Sequence, residues 1–162
     1  MSLLDVVVSQ WEWNRSRTLA LLDDIAKWDN PQAILGWRPG PGRAHIAWQL
    51  MHIGVTEELF ATERLVGTVA AYPDLIPRFR GGSTPDDDIP ALDRIRDVLE
   101  GSRTHLLQTL STLTEADLDQ IPPALRERGW TVARILEVLT WHEPHHQGQA
   151  HLTFNLWKAA NA

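Results

Sequence analysis

Residues Trp141-His142-Glu143-Pro144-His145-His146-Gln147-Gly148-Gln149-Ala150-His151 hold four of the chain's seven histidines. Read as helix, the stretch puts His142 and His146 on one face, with Cβ atoms about 5–6 Å apart. Two imidazoles so placed can hold one metal ion, as in other helical motifs with paired histidines. A pair is not a complete site, so another element must supply a third ligand. Outward from the stretch, Ile135 and Leu139 on one side and Gln149 and Thr153 on the other continue the three–four alternation. Thr131 is a good N-cap, and a helix over about 131–158 is predicted.

Three more segments show the same alternation. Residues 3–28 place Leu4, Val7, Trp11, Asn14, Thr18, Leu21, Ile25 and Trp28 on one seam. Ser2 caps this helix, Asp5 meets its positive end, and Asp29-Asn30-Pro31 ends it. Residues 30–42, rich in proline and glycine, read as a loop. A second helix over about 44–66 has His45, Trp48, His52, Val55, Leu59, Thr62 and Val66 on its seam, with Gly54 costing about 1 kcal/mol relative to alanine. A third, over about 90–114, presents Leu92, Ile95, Leu99, Ser102, Leu106, Leu110 and Leu113. Between the second and third lie residues 67–90, with three glycines, four prolines and the acidic run Asp86-Asp87-Asp88. That connection is too long for a tight turn; it reads as a crossover along the bundle or a flap over one end. Nothing reads as a strand. The expected fold is all-α, a four-helix bundle with a long crossover between helices 2 and 3, in a single domain spanning 1–162.

The helix midpoints fall near residues 16, 55, 102 and 144. Asn14, Thr18, His52, Ser102, His142 and His146 all lie within about a turn of them, so they meet in one layer near half height. Buried polar groups are costly unless something satisfies them. A metal ion with bound water would do so; a purely hydrogen-bonded polar layer is the alternative. His52 is the best third ligand. His45 lies seven residues before it, about 10 Å along the axis, too far for the same ion. His105 and His151 point away from the seams. Pro144 removes a helical hydrogen bond and costs about 3 kcal/mol or more, and local widening there would exchange His145 for His146. His146 is preferred because it keeps the alternation, leaving His145 on the flank with Val138 and Trp141.

The composition excludes several functions. The 162 residues include 15 basic and 21 acidic side chains, a net charge of −6, without a basic run. Nucleic acid is therefore not an expected partner. No apolar run approaches the roughly 20 residues that span a membrane, and the N-terminus lacks a signal-peptide pattern. With no cysteine, the chain needs no disulfide and fits the cytoplasm, and any thiol nucleophile has to arrive as a cosubstrate. The eight tryptophans fill a core or wall a pocket for an apolar ligand.

Trp48-Gln49-Leu50-Met51-His52-Ile53, followed by the late His142-Glu143-Pro144-His145-His146-Gln147-Gly148-Gln149, resembles the DinB/YfiT-like metalloenzyme family. Its members have a helix-2 histidine and a late H-E-x-H-H-x-G-Q signature. The likeness extends to Trp11-Glu12-Trp13-Asn14 and Gly129-Trp130-Thr131. Proline between the two late ligands departs from the commoner pattern. The resemblance implies a four-helix bundle in which His52, His142 and His146 bind a divalent ion such as zinc or nickel, with positions left for water. It also implies a small-molecule substrate, a low-molecular-weight thiol as cosubstrate, and a homodimer. Asn14, Trp48, Trp141, Glu143, His145 and Gln149 are candidates for the pocket or for supporting the ligands. Core packing is the competing reading for Asn14 and both tryptophans, and a solvated or capping role for Glu143. Thiol transfer to an electrophile is the expected reaction; hydrolysis by an activated water, or a non-catalytic metal-binding bundle, is the alternative.

Overall fold

The computed structural model describes residues 2–161. Ser2 and Asp5 form a reciprocal cap: the Asp5 N–H donates to Ser2 Oγ at 3.1 Å and the Ser2 N–H to Asp5 Oδ2 at 2.7 Å. They open helix α1, Leu3–Ala26. Asn30 and Pro31, which end that run, also start a short helix α2, Pro31–Gly36, capped by the Asn30 side chain. A loop was expected there; instead Ile34 and Leu35 are fully buried. Helix α3, Ile46–Leu59, begins two residues later than expected because His45 is its N-cap, accepting the Trp48 N–H at Nδ1 over 3.0 Å. A wider π-helical turn, Phe60–Arg64, continues α3. Helix α4 is the short segment Ile76–Phe79, α5 spans Leu92–Leu110, and α6 spans Val132–Ala160. Two 3₁₀ turns, Glu115–Asp117 and Pro123–Arg128, precede α6. No strand occurs among the described residues, so the fold is all-helical. No helix is long and apolar enough to cross a membrane.

α3 packs on α5 and α6, and α1 packs on the same two helices. Gly54 makes the first contact possible, since a Cβ there would lie 2.8 Å from Val98 Cγ1. Its low helix propensity is offset by this close approach of α3 to α5. Apolar side chains form two clusters, one around Leu22, Leu50, Ile53 and Leu99, the other around Trp11, Phe60, Leu106 and Ile135. Along α1, α5 and α6 the polar residues fall between the two.

Of the six residues expected in this polar layer, Asn14, Thr18 and Ser102 find partners within the protein, so a metal ion could serve only the three histidines, and four charged side chains join the layer beside them. Arg15 pairs with Glu57 and Glu143, each at 2.8 Å, and Arg103 pairs with the same carboxylates at 2.5 and 2.6 Å. Remaining guanidinium donors reach the Leu99 and Trp11 carbonyls. Two charges of each sign cancel, and every buried side-chain polar atom among the described residues has a partner. Ser102 bonds its own helix at the Leu99 carbonyl, and Thr18 Oγ1 lies 2.8 Å from Glu143 Oε1. Four ionised groups are tolerable here only because all four are paired and further hydrogen-bonded.

The segment between the π-helical turn and α5 folds back over α3. Glu58, fully buried, accepts the Ala71 N–H at 2.6 Å, and the Tyr72 hydroxyl sits over Gly101, where a Cβ would lie 2.2 Å from it. Arg78 holds the acidic run through Asp86 at 2.9 Å and Asp88 at 3.0 Å. This anchoring delivers the Phe79–Ser83 backbone to the histidines.

Candidate metal centre

His52 projects from α3, and His142 and His146 from successive turns of α6. One ring nitrogen of each lies within 4.8 Å of the others. The Nε2 atoms of His52 and His142 are 3.1 Å apart. Two nitrogens on a tetrahedral ion, each bonded at about 2.0–2.1 Å, would be about 3.3 Å apart. The His52–His142 pair is thus within a few tenths of an ångström of that spacing, and the His146 nitrogen lies within 4.8 Å of both.

Hydrogen bonding fixes which nitrogen is available. His52 Nδ1 lies 2.7 Å from the Phe79 carbonyl, which can only accept, so the proton sits on Nδ1 and the Nε2 lone pair is free. His146 Nδ1 lies 2.6 Å from Gln49 Oε1, with the same consequence. Gln49 is in turn oriented, donating from Nε2 to Gln149 Oε1 at 3.1 Å; Gln149 Nε2 then donates to His145 Nε2 at 2.8 Å. Burial lowers the His52 pKa, although the bond to Phe79 opposes it. Burial, then repulsion from His52, His145 and Arg64, pushes His142 down to about 3. Burial and the neighbouring histidines push His146 down to about 3 as well. All three imidazoles are therefore neutral at pH 7, the state in which they bind metal. No carboxylate joins the group among the described residues. This all-nitrogen donor set could hold a metal ion.

The protein around the histidines is built to hold them. Trp48 stacks on His52 with ring centroids 4.7 Å apart and planes 10° from parallel. Its indole N–H donates to Ser83 Oγ at 3.1 Å, and that hydroxyl donates to the Arg78 carbonyl at 2.7 Å. A Cβ on Gly81 would lie 3.9 Å from His52 Cε1, so the returning segment rests directly on this ring. Pro144 leaves α6 unbroken. The Thr140 carbonyl it deprives of a donor is reached by Asn14 Nδ2 at a long 3.4 Å, while Asn14 Oδ1 accepts from Gln10 at 2.9 Å.

The remaining candidates are distributed as follows. Asn14 serves the Thr140 carbonyl rather than the histidines. Glu143, expected to approach an imidazole, is committed to Arg15 and Arg103. His145 is exposed, 4.4 Å from Trp141 in a stacked pair, and Trp141 is itself 59% exposed, outside the triad. Gln149 is exposed but bonded to Gln49. His45 caps α3 and contacts the Asp86 carbonyl at 2.9 Å, and His105 pairs with Glu58 at 2.8 Å. Gln49, Phe79 and Ser83 were not expected. Gln49 stands three residues before His52, hence on a neighbouring face, which was a usable signal; the Phe79 carbonyl had none. Two surface grooves of about 400 Å³ each run along α1 near Leu4 and Val7 and contain none of the histidines.

Comparison with curated proteins and with solved structures finds no match. A profile of the DinB superfamily matches residues 10–150, a span that includes all three histidines, and the chain belongs to that superfamily.

Proposed function

We propose that the protein is a metal-dependent enzyme whose open site is held by His52, His142 and His146, and that it transfers a low-molecular-weight thiol to an electrophilic small molecule. The observation that carries this reading is the convergence of three neutral imidazoles with no carboxylate among them. Three protein ligands leave positions free, as catalytic rather than structural sites do. A divalent ion bound there, zinc or nickel, supplies Lewis-acid chemistry that lowers the pKa of a group coordinating it.

The chain's own residues position and exclude. Phe79 and Gln49 hold His52 and His146 with their Nε2 atoms inward. Trp48, tied to Ser83, covers one side of His52 and keeps water from it. The nearby carboxylates Glu57 and Glu143 are locked to arginines, so neither is free to act as a general base on water. The preference for thiol transfer over hydrolysis comes from the resemblance to the DinB/YfiT-like family, since a bound ion would lower the pKa of a water as well as that of a thiol. In the transfer, the thiol proton goes to solvent, sulfur bonds to the electrophilic carbon, and the leaving group departs with the electrons of the broken bond.

The packing of α1, α3, α5 and α6 supports reading the fold as a four-helix bundle with residues 65–91 as its crossover. A homodimer in the cytoplasm belongs to the same proposal, supported by the exposed Trp141, Leu152 and Leu156 and by the absence of cysteine. The test is a screen of zinc- and nickel-loaded protein with several thiols and electrophiles. Turnover that needs thiol, disappears on chelation and leaves helicity intact would support the proposal. Thiol-independent hydrolysis by the same protein would replace it.

A further inference from the structure

The two helices that carry the histidines each contribute one carboxylate to the buried charge network, and the other two long helices each contribute one arginine. Glu57 lies five residues after His52 on α3, and Glu143 follows His142 on α6; Arg15 comes from α1 and Arg103 from α5. Because α1 and α3 each pack on both α5 and α6, α1 lies opposite α3 and α5 opposite α6. The Arg15–Glu57 pair at 2.8 Å and the Arg103–Glu143 pair at 2.6 Å therefore cross the two diagonals of the bundle. Arg15–Glu143 and Arg103–Glu57, at 2.8 and 2.5 Å, run along two of its sides. Arg103 grips Glu57 with two nitrogens, Nη2 on Oε1 and Nε on Oε2 at 3.3 Å. Each arginine also donates to a backbone carbonyl of the other's helix, Arg15 to Leu99 and Arg103 to Trp11.

This closed set of contacts opposes the movements that would part the histidines. Successive helical residues stand about 100° apart, so Glu143 reaches α1 and α5 while His142 reaches α3. α6 cannot turn about its axis and withdraw His142 without pulling Glu143 from both arginines. α3 cannot slide without breaking the contacts of Glu57, which stands about 7.5 Å along the same helix from His52. Apolar packing between the helices is non-directional, whereas a guanidinium fork on a carboxylate fixes orientation as well as distance. A site of this kind tolerates only about 0.5 Å of displacement in its ligands.

Resting on the metal-centre reading above, we infer that Arg15, Arg103, Glu57 and Glu143 are positioning residues for that centre. Their cross-brace holds α3 and α6 at the separation and rotation that bring His52, His142 and His146 to one ion. The four act through the helices that carry the histidines, not on the ion itself.

The test compares wild type, Arg103→Lys and Leu125→Ala. Lysine keeps the charge, so the buried carboxylates stay neutralised, but one ammonium cannot grip both as the planar fork does. Leu125, buried in the 3₁₀ turn before α6, belongs to no helix that carries a histidine ligand, and truncating it lowers the unfolding midpoint by leaving a cavity. Zinc affinity is measured by competition with a chelator. Cobalt(II), loaded in place of zinc, reports coordination geometry through its visible absorption. Both are read at a temperature where circular dichroism shows every protein folded. Arg103→Lys should bind zinc about tenfold or more weakly, as when a residue that orients ligands is lost, and its cobalt spectrum should differ from that of wild type. Leu125→Ala should match wild type in both despite its lower midpoint. Should Arg103→Lys fail to fold, Glu57→Gln, which keeps the shape of the α3 side chain, carries the same expectation. Wild-type affinity and spectrum in the brace variant, or an equal loss in Leu125→Ala, would overturn the inference. Wild type that binds neither zinc nor cobalt would instead overturn the metal centre itself, so the two failures are distinguishable.

Discussion

Replacing Arg103 with methionine should destabilise the fold far more than removing an arginine paired at the surface. Arg103 is 7% exposed and bridges Glu57 and Glu143, which are 3% and 2% exposed, at 2.5 and 2.6 Å. Methionine preserves much of the stem but leaves two buried carboxylates facing Arg15 alone, an uncompensated negative charge. Breaking such a buried pair from one side costs about 3–5 kcal/mol. A domain of this size has about 5–15 kcal/mol in all, so the loss is about a fifth or more. At about 2–4 °C per kcal/mol, the melting temperature should fall by roughly 6–20 °C. The matched control is Arg96→Met, whose partner Asp23 is 2.6 Å away but 60% exposed at its side chain; such pairs contribute about 0–1 kcal/mol. Urea denaturation with unchanged m-values would give both differences directly. Removing one charge of each sign, in Arg103→Met/Glu57→Gln, should cost less than the sum of the single changes, since Arg15 and Glu143 remain paired. An Arg103→Met loss no larger than that of Arg96→Met would refute the argument that the network holds the mid-layer together.

Other expectations follow from individual contacts. Gln49→Leu should lower metal affinity about 10–100-fold by releasing His146, while leaving the unfolding midpoint within about 1 kcal/mol; competition with a chelator of known affinity measures it. Asn14→Leu uncaps the Thr140 carbonyl and should cost about 1 kcal/mol or more in urea with little change in metal affinity, the reverse of the Gln49 pattern. Burial would raise the Glu57 pKa, but Arg15 and Arg103 prevail and hold it below the usual 4.5. Its contribution to stability is therefore complete above about pH 4.5 and is lost as pH falls through the depressed native value. Stability measured from pH 7 down to pH 3 should show that loss, and Glu57→Gln should flatten it.

The long helices were legible because apolar residues recur by three and four over twenty residues or more, and because Ser2 and Thr131 announce their own caps. Helix α2 was not, since its six residues are too few for periodicity to register beneath prolines and glycines. The histidine spacing pointed directly at a shared ion, and the polar layer itself was visible from helix midpoints. What fills that layer was hidden. Arg15, Glu57 and Arg103 look like surface residues in one dimension, because burial of a charge depends on partners from other helices. The Phe79 carbonyl was equally hidden, because a backbone acceptor has no residue type to reveal it. Pro144 was read as a threat to the geometry of α6; a side chain from α1 supplies the compensation, which no local reading of α6 contains.

The most direct test of the metal centre is elemental analysis of protein purified without an affinity tag, after incubation with zinc or nickel. Wild type is set beside His52→Ala, His142→Ala, His146→Ala and His145→Ala. About one transition metal per chain is predicted in wild type and His145→Ala, and little or none in the other three. Wild type without metal, or a loss in His145→Ala equal to that in His146→Ala, would contradict the assignment.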